Sequence, residues 1–226
     1  MFWYITIIKL GRGHLQRDLV IRAIHDFQKD CLKLCENHYP TVHNRGMSEH
    51  HLGRAFSRRL ASTLDSFNLP NQFEPIDTTR SPDHPHHYRI ASSAGTVWVI
   101  THHLDSANSI CKEKLLTDIT EWQAEYGFAI QPNDLLVLLA DHWISRSQKS
   151  RELLDWWMGE LPDDFTAYTE QGISLYKSDS KLVHELDQRF HIRPCYLRFG
   201  HPLVRSTDQQ LVRKYIQLYA ILECQK

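Results

Sequence analysis

Apolar positions recur along this chain at two periods, and the alternation between them predicts its elements. Val20, Ile24, Phe27, Cys31 and Leu34 follow one another at steps of four, three, four and three, which makes 15–35 an amphipathic helix with one stripe for a sheet. A second helix is expected from Ser48 as cap, carrying Leu52, Ala55, Phe56, Leu60, Leu64 and Phe67 inward until Pro70 stops it. Extended pieces follow at Phe73–Asp77, Tyr88–Ala91 and Val97–Thr101, the last two joined by a Ser-Ser-Ala-Gly turn that reads as a hairpin. Leu115, Ile119, Trp122 and Tyr126 return to the helical period, with Asn108 or Asp105 as cap. The run Leu135–Ala140 is apolar throughout, as in a strand buried on both faces. From Val97 to Ala140 the chain therefore reads as a βαβ crossover. Beyond it, a short helix opens at Ser150 with Leu153, Leu154, Trp157 and Leu161. Strands are expected at Ile173–Tyr176 and Tyr196–Phe199, a helix at Leu182–Phe190 between them, and a closing helix from Asp208 through Leu211, Tyr215, Tyr219 and Leu222.

This order implies an α/β class with a central mixed β-sheet flanked by helices. At 226 residues and 42% hydrophobic composition the chain can bury a sizeable core. No repeat or linker divides it, so the expectation is a single α/β domain over 1–226. The opening MFWYITIIKL is too short for a bilayer and reads as a buried first strand, so no membrane association is expected. Five cysteines, odd in number and without a CxxC pair, point away from a disulfide framework and from a zinc ribbon, and toward a cytoplasmic, reducing compartment. Cys31 and Cys35 share a helical face, as small core residues do. Lysine and arginine total 26 against 27 acids, so contact with nucleic acid would need a local patch instead of a global field. Arg54, Arg58 and Arg59 on the outer side of the second helix form one, to be joined by Arg80 or Arg89. The bland alternative is a solvated face making surface ion pairs.

Common catalytic signatures are absent: the sequence has no Walker loop, no GxGxxG, no GxSxG and no HExxH. Fifteen histidines remain, with doublets at His50–His51, His86–His87 and His102–His103. Ordinary loop and surface histidines explain most of such a count. Neighbours on a strand face opposite ways, so each of the last two doublets is expected to supply at most one metal ligand. Glu49 stands in line with the apolar stripe of its helix, which places its carboxylate at the edge of the buried face. A first-turn acid is also favoured by the helix dipole alone.

The succession of a helix with Glu49, a strand ending at Asp77 in EPIDTTRSP, a strand ending in VWVITHHLDSAN, a helix and a buried strand resembles the restriction-endonuclease-like PD-(D/E)xK nuclease fold. The resemblance spans roughly 48–140 and implies a restriction-endonuclease-like core. It also implies a metal-dependent nuclease, in restriction or phage defence, with Mg²⁺ as cofactor and double-stranded DNA as partner. Glu49, Asp77 and His103 would be its catalytic residues, Asp77 and Asp105 its metal ligands, and Arg54, Arg58, Arg59 and Arg80 its DNA contacts. Where that family carries an acid followed by lysine or glutamate, this chain has Thr101, His102 and His103. Either His103 or Asp105 takes the missing role, or the site is inactive and serves for binding. Two further classes stay open. One is a non-catalytic interaction or immunity subunit, with a protein partner or a homodimer and tryptophans such as Trp156 and Trp157 at its interface. The other is a histidine-assisted metal hydrolase acting on a smaller substrate.

Overall fold

The computed structural model describes residues 12–38, 49–76, 86–205 and 208–224, without the side chains of 12, 13 and 34–38. The expected first strand, the Ser48 cap, Asp77, Arg80 and the side chain of Cys35 lie outside the described residues. In chain order the elements are α1 (Arg12–His38), α2 (Glu49–Ser66), β1 (Asn71–Ile76), β2 (His87–Ser92), β3 (Gly95–His103), α3 (Ser109–Tyr126) and β4 (Leu135–Trp143). They continue with α4 (Gln148–Arg151), α5 (Leu153–Met158), α6 (Phe165–Glu170), α7 (Leu182–Phe190), β5 (Pro194–Gly200) and β6 (Tyr215–Glu223). One six-stranded sheet runs in the order β1-β2-β3-β4-β6-β5. Only β3 and β4 are parallel; every other neighbouring pair is antiparallel. The protein is thus an α/β fold with a mixed sheet flanked by helices.

The crossover expected between Val97 and Ala140 is present. Asn108 caps α3 by accepting the Cys111 amide at 2.9 Å, and Leu115, Ile119 and Trp122 pack onto the sheet beside Trp98, Leu136 and Leu138. On the opposite face α1 and α2 bury Val20, Ile24, Phe27, Leu52, Phe56 and Leu60 against Val97, Val99, Val137 and Leu139. Alternate residues of β3 and β4 thus feed two separate cores, which is why Leu135–Ala140 shows no polar alternation. Each such buried aliphatic side chain contributes about 1.5–3 kcal/mol.

Gly53 lets α2 come close to the strands. A Cβ there would collide with the Tyr88 ring and lie 2.8 Å from Thr101, so a larger residue would lift the helix and move Glu49, one turn earlier, away from the end of β3.

Three expectations are corrected. The stretch from Asp208 holds strand β6 rather than a helix. Tyr215–Leu222 is buried on both faces, and residues four apart on a strand share a face just as they do on a helix, so the spacing of Leu211, Tyr215 and Tyr219 was ambiguous. Ile173–Tyr176 joins no ladder: the Ile173 amide donates to the Tyr168 carbonyl and the Tyr176 amide to the Arg151 carbonyl, which spends them on α6 and α4. The helical turn expected to open at Ser150 begins at Gln148 with Ser147 as its cap, and Ser150 is turned inward toward His142.

Candidate functional site

Buried Thr101, His102, Asp141 and His142 lie at the carboxyl ends of the parallel strands β3 and β4, where His103 stands opposite Asp141. Such strand ends are where α/β sheets place ligands. His103 belongs to the face that carries Val97 and Val99, and its Nδ1–H donates to Asp141 at 2.7 Å. Asp141 is wholly buried and also accepts from the Tyr215 hydroxyl at 2.6 Å. The His103 Nε2 lies 3.2 Å from Asp105, whose side chain is 83% exposed, while that of His103 itself is 19% exposed. The hydrogen bond to Asp141 raises the pKa of His103 above the usual histidine value. Burial opposes that rise, and the charges of Asp141, Asp105 and Glu49 reinforce it.

Glu49 opens α2 and reaches this strand end. It accepts the His103 backbone amide at 2.8 Å and lies 3.6 Å from His102 Nδ1 and 3.7 Å from Lys114 Nζ. The Thr101 hydroxyl sits 3.0 Å from the Glu49 carbonyl and 2.8 Å from the His86 carbonyl, so it ties α2, β3 and the residue before β2 together.

On the α3 side a second group converges. His86, His87 and Asp118 are all buried, and each offers a ligand atom within 4.8 Å of the others. Both rings of this doublet converge on Asp118 because His86 precedes the first residue of β2, so strand alternation does not govern it. The two rings pack with centroids 4.3 Å apart. Burial lowers the His86 pKa and takes that of His87 down to about 4. For Asp118, burial acts upward, but the neighbouring His102 and the charges of His86 and His87 outweigh it and hold the carboxyl below its ordinary value. His102, buried between the two groups, has Nδ1 3.3 Å from Asp118.

Of the residues singled out from sequence, Glu49, His103 and Asp105 are therefore brought together, and the neighbours of Asp77 and Arg80 are not described. Ile76, which precedes Asp77, pairs with His87. Arg54 and Arg58 are exposed on α2, whereas Arg59 is ion-paired with Asp30 of α1. Trp156 and Trp157 are both fully buried, so neither anchors an interface. Asp118, Asp141 and Tyr215 were not identified from sequence. A signal existed for two of them: Asp118 falls three residues after Leu115 and four before Trp122 on the buried stripe, and Asp141 directly follows the apolar run of β4.

A shallow hollow lined by Pro70, Asn71, Gln72, Ala91 and Ser92 lies at the other end of β1 and β2 and touches none of these groups. No helix among the described residues is long and apolar enough to cross a membrane. No family model matches the chain, and no curated protein sequence is significantly similar to it.

Proposed function

We propose that this protein is a hydrolase in which His103 acts as general base. The observation that carries the reading is the chain from the Tyr215 hydroxyl to Asp141 to His103, set at a partly exposed strand end. With Nδ1–H held by a buried carboxylate, the neutral ring keeps its lone pair on Nε2, the nitrogen on the more open side. That nitrogen takes a proton from an attacking water. Asp141 fixes the tautomer and stabilises the imidazolium that results. Asp105 lies close enough to receive a hydrogen bond from the protonated ring. Glu49 holds the end of β3 through the His103 amide, which makes it a positioning residue.

A phosphodiester in duplex DNA is the substrate class we favour. The sequence of α2, the β1–β2–β3 meander, α3 and parallel β4 supports this choice, since it follows the element order of the nuclease resemblance. Arg54 and Arg58 would supply phosphate contacts on the exposed side of α2. The four described cysteines are free thiols, which suits a reducing compartment. Mg²⁺ prefers an oxygen cage, and the described group of three donors contains two imidazoles, so it does not fit that ion.

Cleavage of supercoiled and linear duplex DNA, measured with Mg²⁺, Mn²⁺ and Zn²⁺ in turn, tests the reading. Asp141→Asn and His103→Ala should each lower kcat by about 10²–10⁴. Because the raised pKa of His103 keeps it protonated at lower pH, the wild-type rate should climb through a midpoint above the usual histidine value, and Asp141→Asn should move that midpoint to lower pH. Arg54→Glu with Arg58→Glu should abolish salt-sensitive duplex binding. Wild-type rates from both variants at His103 and Asp141 would overturn the proposal.

A further inference from the structure

We propose that His86, His87 and Asp118 form a binding site for one first-row transition-metal ion, zinc being the first expected. The argument starts from donor chemistry. Two imidazoles and one carboxylate are a set that zinc, manganese and iron accept, and three protein ligands leave a fourth tetrahedral position for water. Their ligand atoms already lie within 4.8 Å of one another. A tetrahedral ion with bonds of about 2.0–2.2 Å sets its ligands roughly 3.3–3.6 Å apart, so side-chain rotation of about an ångström closes the site.

Two further observations point to a ligand instead of a packed core. His87 is 3% exposed, and its Nε2 is buried with no hydrogen-bond partner among the described residues. A buried ring nitrogen left open in this way is uncommon unless something supplies the missing contact. The surroundings also resemble those of a supported ligand. His102, itself 1% exposed, brings its Nδ1 to 3.3 Å from the Asp118 carboxylate, close enough to support that ligand once it is bound. The Thr101 amide and hydroxyl hold the His86 carbonyl at 2.9 and 2.8 Å, which fixes the backbone of the one ligand that is not on a regular element. The ion is thus fastened to β2 and α3, while His103 and Asp141 belong to the other face of the sheet.

The test uses full-length protein without a histidine tag or chelator. Elemental analysis should find about one equivalent of a transition metal per chain. After stripping, titration with Co²⁺ should produce visible d–d absorption that saturates at the same stoichiometry and is displaced by Zn²⁺. His87→Leu and Asp118→Asn should weaken Zn²⁺ binding by about a hundredfold or more, and His102→Ala by about ten- to a hundredfold. The exposed His184→Ala should change nothing. Circular dichroism monitors folding, and His86→Gln provides a milder ligand change if Asp118→Asn does not fold.

Metal uptake does not depend on the hydrolase reading. His103→Ala should bind Zn²⁺ like wild type whether or not it still cleaves DNA, so either idea can fail alone. Stripped wild-type protein that takes up less than about a tenth of an equivalent, or ligand variants that bind Zn²⁺ like wild type, would overturn the site.

Discussion

Two sets of desolvated histidines occupy this fold, and they differ in how their ring nitrogens are used. His142 accepts no solvent: Nδ1 meets the Leu104 carbonyl, and Nε2 lies 2.6 Å from the Ser150 hydroxyl. His201, only partly buried, also has both nitrogens engaged, with Nδ1 3.0 Å from the Tyr215 carbonyl and Nε2 2.8 Å from the Tyr168 hydroxyl. Each ring ties the sheet to a helix outside it, His142 to Ser150 of α4 and His201 to Tyr168 of α6. His87 shares the burial of His142, and desolvation takes all three pKa values down to about 4. Among these three, only His87 keeps a buried nitrogen with no partner among the described residues while two other donors converge beside it. Burial and weak proton affinity are therefore shared by structural and ligand-like histidines. An open lone pair in convergent company is what separates them.

The largest expected effect is acid destabilisation. For His87, His142 and His201 the folded-state value lies below the unfolded one near 6.5, so the unfolded chain binds more protons between those limits. Stability should be full above pH 6.5, fall as the pH drops toward 4, and level off below. Each group contributes roughly 3 kcal/mol to that fall. His103 has the opposite sign: its folded value is raised, so its contribution is present below pH 6.5 and is lost as the pH rises through the raised value. Urea midpoints measured from pH 4 to 8 would reveal both slopes. Loading with zinc should steepen the acid branch for wild type and leave His87→Leu unchanged, which would divide the two sets of histidines in one experiment.

Replacing the rings by leucine sharpens the comparison further. His142→Leu removes two buried hydrogen bonds and strips partners from Leu104 and Ser150, for an expected loss of about 2–4 kcal/mol in chelator. His87→Leu under the same conditions should stay within about 1 kcal/mol of wild type, because it deletes a buried nitrogen that has no partner among the described residues. Equal losses from the two variants would break the distinction. The smallest effect belongs to a surface ion pair: Arg59→Ala should cost under about 1 kcal/mol, since its partnership with Asp30 is made by side chains 35% and 41% exposed. It should leave metal uptake untouched.

The elements of this protein were largely legible in the order of its residues. Helical stripes announced α1, α2 and α3, the hairpin turn announced β2 and β3, and an unbroken apolar run announced β4, because each pattern is set by contacts a few positions apart. β6 escaped because a strand buried on both faces loses the alternation that identifies it. Glu49 and His103 were also legible, one by its place on a buried stripe and the other by the polar turn after an apolar strand. Their partners were not. His103 meets Asp141 across 38 positions, and Asp141 meets Tyr215 across 74. Which carboxylate reaches which imidazole depends on β4 lying parallel to β3 in the register that sets His103 against Asp141, and on β6 returning antiparallel beside it. Register and strand order arise from how whole faces pack, so only the tertiary structure could choose among the chain's many acids and histidines.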